Sequence, residues 1–135
     1  MDIHYMTNKD IVPFLPLLNS FLRTKRMNPT NPQTFSGFAL DERRFCLAAV
    51  ESAMPSGFLL AEKHPDHLEV LALYVDENKR KKGIATALFH SAVDGAERMG
   101  LKTIRLSAKS SDRDARRFIE GLGALPERIE YSFLL

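Results

Sequence analysis

In residues 71–91, LALYVDENKRKKGIATALFHS, a single glycine lies between an apolar run and an amphipathic run. The residues before it form an apolar run typical of a buried strand, and Ile84 and Leu88 begin an amphipathic helix after it. Four consecutive cations, Lys79–Lys82, precede Gly83 in the connection. The first N–H groups of such a helix lack internal partners and carry the positive end of its dipole. Together with a glycine that lets a ligand approach the backbone, they predict a site for phosphate.

The remaining patterns predict a single mixed α/β domain over residues 1–135. Strands are predicted at residues 1–7, 43–52, 57–64, 67–75, 102–108 and 127–135. Helices are predicted at residues 8–25, 84–99 and 110–123. This order indicates a central mixed sheet of about six to seven strands flanked by helices. A length of 135 residues suits one domain with a real core.

The first predicted helix and several connections carry specific expectations. The apolar face of that helix would consist of Ile11, Leu15, Leu18 and Leu22. Asp10 is its candidate N-cap, and Pro16 is expected to kink or split it. Residues 26–38, with two Asn-Pro pairs, read as a loop suited to a substrate lid, and residues 53–56 as a hairpin connection. In the last predicted helix, Ser111 is the candidate N-cap.

The cysteine and histidine residues bear on two possibilities, a disulfide and a metal site. The single cysteine, Cys46, excludes an intramolecular disulfide and lies in an apolar run. It is therefore predicted to be a core residue, in a protein of a reducing, cytoplasmic compartment. The histidines are His4, His64, His67 and His90. They are spread over different predicted elements without metal-ligand spacing, so no metal is expected.

Charge and hydropathy argue against two kinds of partner. The formal net charge of +2 is too small to predict nucleic-acid binding by itself. No apolar run approaches the ~20 residues of a membrane helix, and residues 1–10 do not read as a signal peptide. We therefore expect neither a nucleic-acid nor a membrane partner.

Residues Arg80–Ala85 read Arg-Lys-Lys-Gly-Ile-Ala, a spacing that is neither a P-loop nor Gly-x-Gly-x-x-Gly. They resemble the [Gln/Arg]-x-x-Gly-x-[Gly/Ala] signature of the GNAT superfamily of N-acetyltransferases. Val75, five residues before Arg80, and the apolar helix start after Gly83 also match that pattern. The resemblance extends over most of the chain. It implies a sheet splayed between strands 4 and 5, with acetyl-CoA bound in the splay as co-substrate.

The resemblance also implies which residues contact the cofactor. Backbone groups of Leu73 and Val75 would bond the pantetheine arm and the thioester carbonyl. Backbone N–H groups from Arg80 to Thr86 would wrap the pyrophosphate, and the side chains of Arg80 and Lys82 would add a modest contribution. The implied cofactor-binding residues are Leu73, Tyr74, Val75, Arg80, Lys81, Lys82, Gly83, Ile84, Ala85, Thr86 and Asp112.

Glu69 is the candidate general base that takes a proton from the acceptor amine. It shares strand parity with Leu71, Leu73 and Val75, so it would stand on an otherwise apolar face. In the histone-acetyltransferase branch, the base glutamate also stands six residues before the matching valine. The alternative is a strand-end carboxylate that points to water or pairs with a lysine.

The general acid is where the chain departs from the family pattern Asn-x-x-Ala-x-x-x-Tyr on the second helix. Aligned on Ala115, the asparagine position holds Asp112 and the tyrosine position holds Ile119. Tyr131 and Tyr74 are candidate replacements, although each also suits a half-buried strand tyrosine. Alternatively, the CoA thiolate leaves without an acid.

The predicted function is an acetyl-CoA-dependent N-acetyltransferase. The neutral amine of a small molecule or peptide would attack the thioester directly, without a protein nucleophile or a metal, in a monomer or homodimer. One alternative is a non-catalytic acyl-CoA-binding sensor or interaction module, for which the missing helix tyrosine is the motive. A second alternative, a nucleic-acid-binding domain built on the basic turn, predicts binding that weakens steeply with salt.

Overall fold

A computed structural model of the chain describes residues 1–6, 11–24, 42–128, 131 and 133–134. These residues form two compact units, Met1–Arg105 and Leu106–Leu135. The strands are β1 (Asp2–Met6), β2 (Arg44–Glu51), β3 (Met54–Lys63), β4 (Leu68–Val75) and β5 (Ile104–Arg105). The helices are α1 (Ile11–Thr24), α2 (Ile84–Arg98) and α3 (Arg113–Gly121), with a 3₁₀ turn at Glu77–Lys79. That residues 1–135 act as one domain stays a prediction.

The first unit is built on a mixed sheet of five strands in the order β1-β2-β3-β4-β5. Neighbouring strands are antiparallel except for β4 and β5, which are parallel. The predicted mixed α/β fold is confirmed, with a strand count slightly below the prediction. In the described residues of the predicted last strand, including Tyr131, Phe133 and Leu134, no strand forms, and β5 is shorter than the predicted 102–108.

The sheet opens between β4 and β5. Only two residue pairs join these strands, Leu68 with Ile104 and Glu69 with Arg105. Within the described residues, the edge of β4 from Val70 onwards therefore has no strand partner on the β5 side. A splay between strands 4 and 5 is what the sequence predicted.

Helix α1 packs on one face of the sheet. The cluster there contains Met6, Cys46, Ala48, Phe58 and Leu60 from the strands and Phe14, Leu17 and Leu18 from α1. Of the predicted helix face, Leu18 is buried but Leu15 is only partly buried, so the predicted face is rotated from the observed one. The side chains of Ile11 and Leu22 lie outside the described part of the structure, as do Asp10 and residues 26–38.

The sequence predicts a kink or a split at Pro16, and the split does not occur. Helix α1 is continuous from Ile11 to Thr24 with Pro16 inside it. Pro16 is exposed, and it removes a single backbone donor from the second turn. Its own carbonyl oxygen accepts a hydrogen bond from Ser20 Oγ at 3.0 Å.

Helix α2 packs against the sheet with the face that the sequence predicted. Its buried residues are Ile84, Leu88, Ala92, Gly95 and Ala96. A Cβ at Gly57 of β3 would lie 3.3 Å from the Ile84 side chain and 2.9 Å from the Tyr74 carbonyl oxygen. Only glycine therefore permits this close packing. The helix ends as predicted before Gly100, whose φ is 76°, and Leu101 N–H donates to the Ala96 carbonyl at 2.9 Å.

The turn between β2 and β3 differs from the predicted one. The β2–β3 turn consists of Ser52 and Ala53, with φ of 48° and 63°, because Glu51 and Met54 already pair. The predicted connection at residues 53–56 therefore lies mostly within β3. Two residues with positive φ match the twist of a tight hairpin.

Strand β4 contains a bulge at Leu71. Leu60 of β3 pairs with Ala72, whereas the next residue, Ala61, pairs with Val70. Leu71 is thus the extra residue, and it is exposed. Side chains alternate between the two faces along a strand. Because of the extra residue, the odd-numbered residues before Leu71 lie on the same face as the even-numbered residues after it.

The second unit contains α3. Asp112, not the predicted Ser111, is its N-cap and accepts a hydrogen bond from Ala115 N–H at 3.1 Å. The less exposed face of the helix consists of Ala115, Phe118, Ile119 and Leu122. In the described part of the chain, no helix is both long and apolar enough to cross a membrane.

Candidate active site

The connection from β4 to α2 is a structured turn. Asp76 N–H donates to the Ser56 carbonyl of β3 at 2.8 Å, and the Asp76 carboxylate accepts from Asn78 N–H at 3.3 Å. Lys79 N–H closes the 3₁₀ turn on the Asp76 carbonyl at 2.8 Å. The Lys79 ammonium lies 3.6 Å from a Glu51 carboxylate oxygen, so this cation is already paired with the protein.

Gly83 occupies the position that glycine suits best. It is the N-cap of α2 with φ 80° and ψ 10°, a left-handed conformation that L-residues with a side chain rarely adopt. Apart from its two chain neighbours, no described residue has an atom within 4 Å of a Cβ built there, so the turn is open on this side. The first intrahelical bond runs from Ala87 N–H to the Gly83 carbonyl at 3.0 Å. The N–H groups of residues 84–86 precede that bond, as the sequence predicted.

The cations of the turn divide into two groups. Lys81 and Lys82 are exposed, and Lys81 itself has a positive φ of 63°. Arg80 instead folds back onto the strand: its Nε–H donates to the Val75 carbonyl oxygen at 3.0 Å. Its guanidinium carbon lies 5.4 Å from the centroid of the Tyr74 ring. Arg80 therefore braces the end of β4, a role that sequence reasoning missed.

Tyr74 belongs to an aromatic cluster on the α1 face of the sheet. Its ring is 5.6 Å from Phe21 in an edge-to-face arrangement and 6.2 Å from Phe58. The Phe21 ring contacts Phe58 in the same way at 5.5 Å. Tyr74 is half-buried in this cluster, as expected for a strand tyrosine.

The bulge at Leu71 changes the surroundings of Glu69. By register, Glu69 lies on the sheet face of Tyr74, not on the face of Leu73 and Val75, so the shared parity that the sequence predicted is wrong. Its side chain is half-buried. Glu69 thus stands at the α1 face of the sheet, where β4 parts from β5.

His67 lies next to Glu69, and Asp66 lies next to His67. His67 Nε2 is 3.5 Å from Glu69 Oε2, and His67 Nδ1 is 2.6 Å from Asp66 Oδ1. The hydrogen bond with His67 lowers the pKa of the Asp66 carboxyl below its usual value. Sequence reasoning missed this contact, although the order His-x-Glu at the start of a strand was visible in residues 67–69.

A second carboxylate cluster surrounds Glu62, the cross-strand partner of Glu69. Arg44 Nε–H donates to Glu62 at 2.7 Å, and His64 Nε2 lies 2.9 Å from the other carboxylate oxygen. The hydrogen bond from Arg44 lowers the pKa of Glu62. The rings of His64 and His67 stack at 4.6 Å, so two histidines that were expected to be separate meet here. In the described residues, no group of His, Cys, Asp or Glu is arranged to hold a metal ion.

The candidate acids and the cysteine have different environments. Tyr131 belongs to the second unit and is 85% exposed, and its catalytic role stays a prediction. Asp112 caps α3, and Ile119 at the family tyrosine position is half-buried. Cys46 is buried in the core, as predicted, and burial raises the pKa of its thiol to about 12. A thiol so far from ionisation is a poor nucleophile.

The fold and the turn together define a class of mixed α/β proteins. In this class, a strand beside an opening in the sheet is connected to the next helix through a glycine in the left-handed conformation. A sequence profile of the acetyltransferase (GNAT) family matches residues 13–124, and the chain belongs to this family. Acetyltransferases of this family use acetyl-CoA. Among curated proteins, none matches the sequence significantly.

Solved structures share the fold over the full chain. A ribosomal-protein-alanine N-acetyltransferase from Brucella melitensis biovar Abortus 2308 is 25% identical, with a TM-score of 0.84 and 100% of both chains covered. A mutant of the BH1408 protein from Bacillus halodurans is 20% identical, with a TM-score of 0.85, covering 100% of this chain and 99% of that one. An aminoglycoside acetyltransferase from an uncultured soil metagenomic sample, in complex with sisomicin, is 14% identical, with a TM-score of 0.82, covering 99% and 95%.

Proposed function

We propose that this protein is an acetyl-CoA-dependent N-acetyltransferase that transfers the acetyl group to a primary amine. The observation that carries the proposal is the left-handed Gly83 at the N-terminus of α2, open to space, in a chain of the GNAT family. The relatives named for ribosomal-protein alanine and for aminoglycosides suggest an amine on a peptide or a small molecule as acceptor.

The pyrophosphate of acetyl-CoA would bind at the turn before α2. The N–H groups of Ile84, Ala85 and Thr86 point along the helix axis towards its N-terminal end, where the dipole favours an anion. Lys81 and Lys82 are exposed beside them and would add attraction that salt screens. Arg80 would contribute mainly by holding the turn, since its side chain is bonded to the strand end.

The pantetheine arm would lie along the edge of β4 beyond Glu69. That edge has no β5 partner among the described residues, and an extended ligand would bond backbone groups of Leu73 and Val75 there. The same opening would admit the acceptor amine to the thioester carbonyl.

Glu69 would act as the general base. An ammonium with a pKa of about 10 must lose a proton before its nitrogen can attack, and a carboxylate within reach can accept it. The neutral amine then adds to the thioester carbonyl. The nitrogen of the tetrahedral intermediate loses a second proton to solvent, and the intermediate collapses with cleavage of the C–S bond to the amide and the CoA thiolate. A CoA thiolate leaves without obligatory protonation because a thiol pKa is only about 8.5. Tyr131 is the candidate acid for that step.

The test is release of CoA from acetyl-CoA in the presence of a panel of amines, including peptides with N-terminal alanine and aminoglycosides. Glu69→Gln should lower kcat by about 100-fold or more with acetyl-CoA affinity retained. Glu62→Gln is the matched control, because Glu62 is the neighbouring carboxylate but is engaged by Arg44. Comparable activity of Glu69→Gln and wild type would reject Glu69 as the base.

The alternative, an acyl-CoA-binding module without turnover, has one observation in its favour: Ile119 stands where many relatives have a tyrosine. It predicts tight acetyl-CoA binding, no CoA release with any amine, and no effect of Glu69→Gln on binding. Amine-dependent CoA release by the wild-type protein would exclude it.

A further inference from the structure

His67 is a buried titratable side chain that the proposed chemistry does not use. It is only 8% exposed, between Asp66, whose side chain is 75% exposed, and Glu69. Its position is fixed by the backbone, because His64 N–H donates to the His67 carbonyl at 2.9 Å. The next residue, Leu68, begins β4. The imidazole thus lies next to Glu69, with its Nε2 3.5 Å from Glu69 Oε2.

We propose that His67 is a positioning residue for Glu69: Asp66 orients the imidazole, and Nε2–H holds the Glu69 carboxylate in place. This inference rests on the proposed function, in which Glu69 is the base. The two contacts differ in length, 2.6 Å to Asp66 and 3.5 Å to Glu69. Asp66 is therefore the firm anchor, and the looser contact leaves Glu69 able to move towards the amine.

The arrangement of Asp66, His67 and Glu69 requires a particular protonation state of the imidazole. Ionised carboxylates only accept hydrogen bonds, so one imidazole serves both Asp66 and Glu69 only with a proton on each nitrogen. When the ring loses a proton, the shorter bond to Asp66 keeps the one on Nδ1. The bare Nε2 lone pair then faces Glu69, and the tether is lost.

The other charged groups around this site interact with Glu62 or Asp66 and leave the contact between His67 and Glu69 in place. His64, stacked on His67, reaches Glu62 instead of Glu69. Arg44, the first residue of β2, binds Glu62, and Arg43, just before β2, lies 3.8 Å from Glu62. On β5, Arg105 is the register partner of Glu69 and adds positive charge near Asp66. Arg44 lowers the pKa of Glu62, and Arg105 adds to the lowering of the pKa of Asp66 by His67, so these two carboxylates are favoured in their ionised, accepting form.

Replacing His67 with Gln or with Asn tests its contacts with Glu69 and with Asp66 separately. The Gln amide nitrogen stands about as far from the backbone as His Nε2, whereas the Asn amide nitrogen matches Nδ1. His67→Gln therefore keeps a donor for Glu69, and His67→Asn keeps one only for Asp66. A misplaced base costs about tenfold or more in rate. We expect His67→Asn to lower kcat by about tenfold, and His67→Gln by less than about threefold, with KM for acetyl-CoA unchanged in both.

The matched control is His64→Gln, which changes the stacked neighbour but not the contact with Glu69. It should leave kcat near the wild-type value. The ratio of the His67→Gln rate to the wild-type rate should rise with pH, because only the wild-type tether is lost on deprotonation; this ratio cancels ionisation of the amine. Equal losses in His67→Asn and His67→Gln, or an equal loss in His64→Gln, would overturn the proposal.

A readout independent of turnover is the ¹⁵N chemical shift of the His67 ring nitrogens at one fixed pH, compared between wild type and Glu69→Gln. Removing the carboxylate should change the Nε2 shift of His67 and leave the ring shifts of His90 unchanged. Turnover that depends on Glu69 but is unaffected by His67→Asn would reject the positioning role alone. Absence of turnover would reject the proposed function, and an unchanged Nε2 shift in Glu69→Gln would still overturn the contact.

Discussion

Replacing Gly83 with Asp is expected to weaken acetyl-CoA binding about thirtyfold relative to replacing it with Asn. Asn and Asp are nearly equal in size, and both tolerate the left-handed conformation better than other side chains. Apart from the chain neighbours, a Cβ at Gly83 meets no atom of the described residues within 4 Å, so there is room for the first side-chain atom of either residue. The backbone cost, about 1 kcal/mol, is common to both. The comparison therefore isolates one negative charge at the start of α2.

The sign of the charge effect reverses between the free and the bound protein. Without ligand, a carboxylate at the N-terminus of a helix is favourable by about 0.3–1 kcal/mol, so Gly83→Asp should be slightly more stable than Gly83→Asn. With a pyrophosphate in the turn, two like charges about 4 Å apart repel by about 1 kcal/mol in water and about 4 kcal/mol near a protein surface. Gly83 is exposed, so we take about 2 kcal/mol, which is about thirtyfold in affinity.

The assay is calorimetric titration of both variants with acetyl-CoA at low and at high salt, with chemical unfolding of the ligand-free proteins. The difference in affinity should shrink at high salt, because screening weakens interactions of exposed charges. Equal affinities for Asp and Asn at low salt would refute a phosphate at this turn. A large loss of stability in both variants would refute the claim that the space around Gly83 is open.

Three further predictions concern other parts of the protein. The lowered pKa of Glu62 means that its ionised form stabilises the fold above its ordinary pKa of about 4.3, and that this stability is lost as pH falls through the lower folded value. Urea unfolding of Glu62→Gln should therefore show lower stability at neutral pH and a flatter acid limb; a limb as steep as that of wild type would contradict this. Cys46, with a thiol pKa raised to about 12, should react with a thiol reagent at pH 8 only after unfolding, whereas rapid labelling of the native protein would contradict its burial. Arg80→Lys should lose the bond to Val75 and cost about 1 kcal/mol of unfolding free energy, and unchanged stability would mean that Arg80 does not brace the strand.

The sequence predicted the elements that follow from periodicity over many residues. The extent of helix α2 and the apolar face that begins with Ile84 and Leu88 were predictable, because one apolar residue per turn is a strong and local signal. Helix α1 was harder. Phe14, Leu17, Leu18 and Phe21 form a stripe as regular as Ile11, Leu15, Leu18 and Leu22, and periodicity alone does not choose between them. The structure buries Phe14 and packs Phe21 on Phe58, which favours the aromatic stripe.

The candidate site was predictable where it depends on local chain geometry and not where it depends on register. The left-handed glycine followed from the turn between a strand and a helix. The bulge at Leu71 depends on pairing with β3, so its effect on the side-chain direction of Glu69 was invisible in the sequence. The contact between His67 and Glu69 likewise needs the geometry of the turn before β4.

The most direct test of the central claim is thermal melting of the protein with saturating acetyl-CoA, CoA and ATP in parallel. Ligand at about 100 times its dissociation constant stabilises the folded state by about 2.7 kcal/mol. For a chain of 135 residues this corresponds to a rise in Tm of roughly 5–10 °C. The account predicts such a rise with acetyl-CoA and CoA and a much smaller one with ATP. No rise with acetyl-CoA, or an equal rise with ATP, would contradict it.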